Sequence, residues 1–396
     1  MGNRPEETAP RRCHGSDLPT DVLTEILLRL PPSSRRRARL VCRLWRDIIG
    51  ERATDSSQAV ALLWGISSGV AYIADDLSSS STGGCKELWR SPSGRPAATN
   101  LHNDWQLVGT CNGLLCVCYN GGVTIGGRIF LVNPATSETL SVPPLPLCNG
   151  HFHRECLCKW EWDRAYSFAY HPKTGRYKVV HIPSSFDGVY EYAAVHVLTL
   201  GEGGWREVPA PRGARCNLNA GIISVDGVTY WVKGHDRSAK IFSFDLDSDH
   251  VAASTVPLPY MRRRRSGYDY NLTEVHGRLG LILRSPSWKT EAWAWHEEVG
   301  RWTRVAILAC ACQEIPRLHS ACGEYFLMCE GQLSYSYLQD GTLLPSGLRL
   351  LSNYVNVIRK DKGTLVAKMN DGGYKFEYRA FAYVKTSESL CVYAAK

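Results

Sequence analysis

LVGTCNGLLCVC at residues 107–118, AYSFAYHPKTGRYKVVHI at 165–182, GIISVDGVTYWV at 221–232, LTEVHGRLGLIL at 272–283 and HSACGEYFLMCEG at 319–331 are variants of one unit, two short apolar runs around a glycine-centred turn. Asn112-Gly113, Asp226-Gly227 and His276-Gly277 stand where a tight hairpin turn needs positive φ, which Gly and Asn-like residues adopt most readily. After four of these units come RIFLVNPATSETLSVPPLP (128–146), AAVHVLTLGEGGWREVPAP (193–211), KIFSFDLDSDHVAASTVPLP (240–259) and EAWAWHEEVGRWTRVAIL (291–308). Each of these reads as a second, outer hairpin. The repeat is therefore about four strands.

Gly227 to Gly277 spans 50 residues and Gly277 to Gly323 spans 46, a period that suits a kelch-like β-propeller blade and fits leucine-rich or tetratricopeptide repeats poorly. Two C-terminal stretches, YVNVIRKDKGTLVAKM (354–369) and YKFEYRAFAYV (374–384), supply about one further unit. Strands at 60–64 and 70–73, VALLW and VAYI, can complete it, because a ring closed with strands from both ends of the chain leaves no open sheet edge. The expected fold is short all-α N-terminal helices followed by an all-β, kelch-like propeller of about six blades, with five or seven as alternatives.

Composition agrees with strands and turns: the 396 residues include 35 Gly, 20 Pro, 12 Trp and 19 Tyr. A net charge of +8 permits non-specific contact with nucleic acid without implying it, so no nucleic-acid partner is expected. MGNRPEETAPRRCHG at 1–15 is polar, lacks the apolar core of a secretory signal and is expected to be disordered. No apolar run approaches the ~18 residues of a membrane-spanning helix. A location in the nucleus and/or cytoplasm follows, with reduced thiols for the 15 cysteines. Residues 76–104 and 147–164 read as long loops.

One stretch is helical. In SDLPTDVLTEILLRLPPSSRRRARLVCRLWRDIIG (16–50), Leu18, Val22, Leu23, Ile26, Leu27 and Leu30 recur at helical spacing. Pro19 suits a first helical turn, and Pro31-Pro32 ends the helix. Ala38, Val41, Cys42, Trp45, Ile48 and Ile49 form the stripe of a second helical segment. About 35 residues are too few to bury so much apolar surface internally, so part of it should meet a partner.

These residues resemble an F-box, carried by Leu18-Pro19, Val22-Leu23, Glu25-Ile26-Leu27, Leu30-Pro31, Val41-Cys42, Trp45-Arg46 and Ile48-Ile49. The resemblance implies an F-box at about 16–55 that docks on the Skp-type adaptor of a cullin-RING ubiquitin ligase. Arg35-Arg36-Arg37-Ala38 departs from the family's apolar start of the second helix. Such an arginine run is ordinarily a solvated face. CNGLLCV (111–117), VNPATSETLSVPPLP (132–146), AYHPKTGRYKVV (169–180), VDGVTYWV (225–232) and IFSFDLDSDHVAASTVPLP (241–259) resemble the F-box-associated domains of plant F-box proteins. This implies a substrate-recognition domain over 56–396.

Three further features are candidate sites. Cys148, His151, His153, Cys156 and Cys158 offer zinc-type donors, but they crowd into one loop without the two separated knuckles of a structural site, so no metal or cofactor is expected. Arg262, Arg263, Arg264 and Arg265 could meet an acidic or phosphorylated segment, serve nuclear import, or form a solvated loop. Trp160 and Trp162 break the repeat and are candidate contact residues, whereas Trp205, Trp231, Trp293, Trp295 and Trp302 recur with it and should pack between blades. Cys116, Cys118 and Cys329 lie in apolar strands and should pack as small hydrophobes.

No G-x-S-x-G elbow, phosphate loop, dinucleotide fingerprint or H-E-x-x-H occurs, so the chain is expected not to be an enzyme. The expected role is that of a receptor that holds a target protein for ubiquitination. A scaffold uncoupled from the ligase and a propeller enzyme are the alternatives.

Overall fold

The computed structural model describes residues 19–29, 38, 41, 44–45, 60–66, 68–74, 86–92, 103–121, 124–146, 162–171, 174–184, 190–233, 240–259, 269–275, 277–284, 290–308, 318–322, 325–337, 343–359, 365–369 and 378–394. From 318 to 378 the description is of the backbone only. The chain divides into two compact units, Met1–Ser56 and Ser57–Lys396.

In the first unit, helix α1 covers Thr20–Arg29. Its first turn is fixed by Leu23 N–H donating to the Pro19 carbonyl at 3.0 Å, and Asp21 places a negative charge at the positive end of the helix dipole. Ala38, Leu44 and Trp45 are also helical.

The second unit is an all-β propeller. Its described strands form four-stranded antiparallel sheets that follow the sequence repeat. Strands β1 (Val60–Gly65), β2 (Val70–Ala74) and β3 (Lys86–Arg90) form the first sheet with a strand from the far end of the chain. The next sheet is β4 (Trp105–Cys111), β5 (Leu114–Tyr119), β6 (Arg128–Asn133) and β7 (Glu138–Ser141). Then come β8 (Tyr166–His171), β9 (Arg176–His181), β10 (Ala194–Thr199) and β11 (Arg206–Pro209), followed by β12 (Ile223–Val225), β13 (Val228–Lys233), β14 (Lys240–Asp245) and β15 (His250–Pro257). Another comprises β16 (Asp269–Val275), β17 (Arg278–Arg284), β18 (Thr290–His296) and β19 (Arg301–Leu308). In the last, β20 (Leu318–Cys322) and β23 (Leu365–Met369) flank β21 (Tyr325–Tyr337) and β22 (Leu343–Arg359), whose 13 and 17 residues far exceed the other strands.

The closing strand β24 (Tyr378–Tyr383) pairs antiparallel with β1, from Val60↔Tyr383 to Gly65↔Tyr378. The sequence reading placed 354–369 and 374–384 in one extra unit; instead 354–359 belongs to β22 and 365–369 is β23, and only 378–383 closes the ring. The innermost strands touch in cyclic order: β24 packs beside β4, β4 beside β8, β8 beside β12, β12 beside β16, β16 beside β20, and β20 beside β24.

The turns that read as hairpins have the required geometry. Asn112 and Gly113 adopt φ 48° and 85°, and Asp226 and Gly227 adopt 46° and 79°. Between adjacent sheets lie apolar cores. One gathers Leu114, Cys116, Cys118, Tyr166, Tyr177 and Leu198; the next gathers Val180, Val195, Trp231, Phe242 and Phe244. Cys116 and Cys118 are fully buried, and burial holds both thiols protonated by pushing their pKa upward.

Two expectations need correction. Residues 76–104 are not one loop, since KELWR at 86–90 is an outer strand whose half-buried Leu88 and Trp89 pack toward Trp64 while Lys86, Glu87 and Arg90 face solvent. Nor does the loop at 147–164 extend to its end: Trp162–Ala165 forms a 3-10 turn leading into β8.

Candidate functional site

In the helical unit, the i,i+4 pair Leu23 and Leu27 buries against Ala38, with Trp45 half-buried beside them. The neighbouring positions face out: Val22, Ile26, Val41 and Leu44 are 44, 45, 63 and 50% exposed. These four aliphatic side chains leave apolar area in solvent. The expected adaptor-binding residues thus divide by location. Leu23 and Leu27 are buried in the core of the unit, whereas Val22, Ile26 and Val41, with Pro19, are exposed. Leu44 was missed by the sequence reading, although it adjoins Trp45 and lies one turn beyond Val41. Leu18, Leu30, Cys42, Ile48 and Ile49 lie outside the described residues.

In the propeller, a cavity of about 240 Å³ opens among the innermost strands β4, β8, β12, β16 and β24. Asp163, in the 3-10 turn, is fixed from two sides: Asn120 Nδ2 donates to one carboxylate oxygen at 3.0 Å and Arg379 Nη1 to the other at 3.0 Å. The Arg379 guanidinium carbon also lies 5.4 Å from the centre of the Phe381 ring. Three segments far apart in sequence therefore meet at one buried polar cluster.

The wall carries hydroxyl groups as well. Ser167 and Ser224 share a hydrogen bond of 2.8 Å from β8 to β12, and Ser224 meets Thr229 at 2.7 Å. Thr110 donates to the Ala382 carbonyl at 2.6 Å, from β4 to β24. Arg164, Asn219, Asn271 and Glu274 complete the polar lining.

Of the residues singled out from the sequence, Trp162 is corrected outright: it is 9% exposed and packs with Cys118, Ile129 and Tyr166 instead of forming a contact surface. The 3-10 turn that presents Asp163 to Arg379 drives the adjacent indole into the core. Trp160, Arg262 to Arg265, and the group Cys148, His151, His153, Cys156 and Cys158 lie outside the described residues. Among the described residues no cluster of His, Cys, Asp and Glu could hold a metal ion.

The repeating tryptophans pack, as their spacing requires. Trp231 is fully buried beside Phe242, Trp295 and Trp302 face each other across β18 and β19 with ring centres 5.5 Å apart, and Trp205 Nε1 donates to the Pro143 carbonyl of the preceding sheet at 2.8 Å.

Comparison with known proteins places these observations. Residues 16–53 match the F-box domain, and residues 87–328 match the F-box associated beta propeller domain. The chain is 27% identical over 278 residues to the F-box protein At3g07870 of Arabidopsis thaliana, covering 61% of this chain and 60% of that protein. It is 24% identical over 299 residues to F-box/LRR-repeat protein At2g43260 of the same plant, covering 73% and 66%. The matches thus span less than two thirds of these relatives' own length. A solved structure, TolB from Acinetobacter baumannii, aligns at 12% identity with a TM-score of 0.42, over 85% of this chain and 70% of that one. With an F-box match followed by a propeller match that spans most of its length, the chain belongs to the F-box proteins that carry an F-box associated β-propeller domain.

Proposed function

We propose that this chain is the substrate-recognition subunit of an SCF-type E3 ubiquitin ligase. Its F-box binds a Skp-type adaptor, and through it the cullin and RING subunits; its propeller binds a target protein. The observation that carries the reading is one chain joining an F-box match at 16–53, with Val22, Ile26, Val41 and Leu44 exposed, to a propeller match at 87–328. The chain acts by proximity: holding a target near a charged conjugating enzyme raises the effective concentration of its lysines, and no residue here need break or form a bond. The propeller is read as a ring of about six blades, supported by the cyclic contacts of its innermost strands. A nuclear or cytoplasmic site of action is part of the proposal.

The test is capture of purified Skp-type adaptor by the full chain and by its Ile26→Asp and Trp45→Ala variants. Capture by the wild type that is lost with Ile26→Asp supports the ligase role. Equal capture by all three, or none by the wild type, overturns it.

A further inference from the structure

The mouth of the central channel is chemically mixed in a way that constrains what it can hold. Among the described residues its charged groups are Asp163, Arg164, Glu274 and Arg379, two of each sign. The more buried pair, Asp163 and Arg379, already neutralise each other. The described lining is thus balanced in charge and offers a ligand with net charge no complementary field. The uncharged polar groups there are amides and hydroxyls, Asn219 and Asn271, Ser167 and Ser224. Such groups can both donate and accept, so they match their own kind best. Elsewhere in the lining Gly109 leaves space: a Cβ placed there would meet nothing nearer than Phe168 Cβ at 4.0 Å.

Size narrows the ligand further. A cavity of about 240 Å³ lies just below the roughly 300–1,000 Å³ of sites that enclose a small molecule, room for a few side chains.

We propose that the channel mouth receives the tip of a turn in the target protein, one whose side chains are uncharged hydrogen-bonding groups such as Asn, Gln, Ser and Thr. The proposal rests on the receptor reading above and supplies its substrate chemistry. It differs from the acidic or phosphorylated target that an arginine run would favour.

The test is selection of disulfide-closed random heptapeptides displayed on phage against the full-length chain, followed by binding of the enriched peptides to two variants. Gly109→Phe fills the channel from a position where the backbone tolerates a side chain. Glu274→Lys, at an exposed rim position, changes the channel's net charge while leaving its volume open. The expected outcome is enrichment of peptides with net charge near zero and rich in amide and hydroxyl side chains, with affinity falling at least about tenfold in Gly109→Phe. Glu274→Lys should weaken the same peptides and strengthen acidic ones. Should Gly109→Phe not fold, Glu274→Lys alone decides. Enrichment of acidic peptides, of peptides indifferent to the variants, or of none overturns the proposal. Adaptor capture by the same preparations reads the ligase role separately, so failure of the channel leaves that role standing.

Discussion

Arg379 Nη1 lies 3.0 Å from Asp163 Oδ2, so the strand that closes the ring is tied to the turn that opens β8, 216 positions earlier in the chain. Asp163 is 5% exposed and Arg379 17% at the side chain. A buried pair gives little net stability over an apolar substitute, yet removal of one partner strands the other's charge. Arg379→Met is therefore expected to destabilise the propeller by about 3 kcal/mol, and Asp163→Ala by at least as much because Asn120 is stranded too. Urea unfolding checks this. A double variant no more stable than the worse single one would contradict it.

Lys178 is buried and donates to the Leu246 carbonyl and to Asp249 Oδ1, the latter at 2.7 Å; Arg206 reaches Asp249 Oδ2 at 2.7 Å. Burial works against ionisation of Asp249, but its bonds to Lys178 and Arg206 outweigh that and hold its carboxyl below the usual range. Asp249→Ala should cost about 3 kcal/mol, and Lys178→Met should recover part of the loss in the double variant. A double-variant cycle with zero coupling would show that the two groups act independently.

His181 and His196 face each other on β9 and β10, Nδ1 to Nδ1 at 3.4 Å, and both are buried. Burial holds His181 well below its ordinary value, with the neighbouring His196 adding to the effect. Burial also lowers His196, partly opposed by Glu207. Since the folded-state values lie below the unfolded ones, the stability they contribute is full above about pH 6.5 and is lost as pH falls, by up to about 1.4 kcal/mol per pH unit for each imidazole. Melting temperatures at pH 7.5 and 5.5 should differ more for the wild type than for His181→Phe. Equal differences would remove the pair as the cause.

Gly113 has φ +85°, and a Cβ there would lie 2.2 Å from the Val384 carbonyl oxygen. The residues after β24 cross this turn and continue to Leu390, which is buried, while Glu388 accepts from Tyr177 OH at 2.9 Å and Asn133 Nδ2 donates to the Glu388 carbonyl at 2.6 Å. Gly113→Ala should cost about 2 kcal/mol or more and loosen this strap before the strands. Hydrogen exchange at residues 384–394 reports it. Exchange that rises evenly throughout the propeller would mean the strap has no separate stability.

Within the helical unit, Leu27→Ala should melt the fold, because Leu27 is fully buried in a small core. Val22→Ser should leave helicity unchanged and reduce adaptor capture several-fold. Circular dichroism and capture on the same samples separate the two roles. Loss of helicity in both variants would erase the distinction.

Much of the architecture was legible because turn chemistry is local. Asn112-Gly113 and Asp226-Gly227 announce their geometry, and apolar runs on either side announce strands. What escaped was written in weaker or longer-range signals. KELWR at 86–90 is a strand of five residues with three charges, held by its neighbour more than by its own pattern. Trp162 looked like an ornament of an inserted loop, because burial by a 3-10 turn leaves no periodicity to read. The channel's polar cluster joins Asn120, Asp163 and Arg379, and nothing in the spacing of those positions foretells that they meet.

The pairing of β1 with β24 also sets a schedule for biosynthesis. Val60 leaves the ribosome 323 residues before its partner Tyr383. At 5–20 residues per second that interval is on the order of 15–65 s. Throughout it the first sheet presents an unpaired backbone edge, and the channel lacks the wall that carries Arg379. A chain truncated anywhere upstream of Tyr378 would lack β24 and keep that edge open, the kind of edge that templates aggregation.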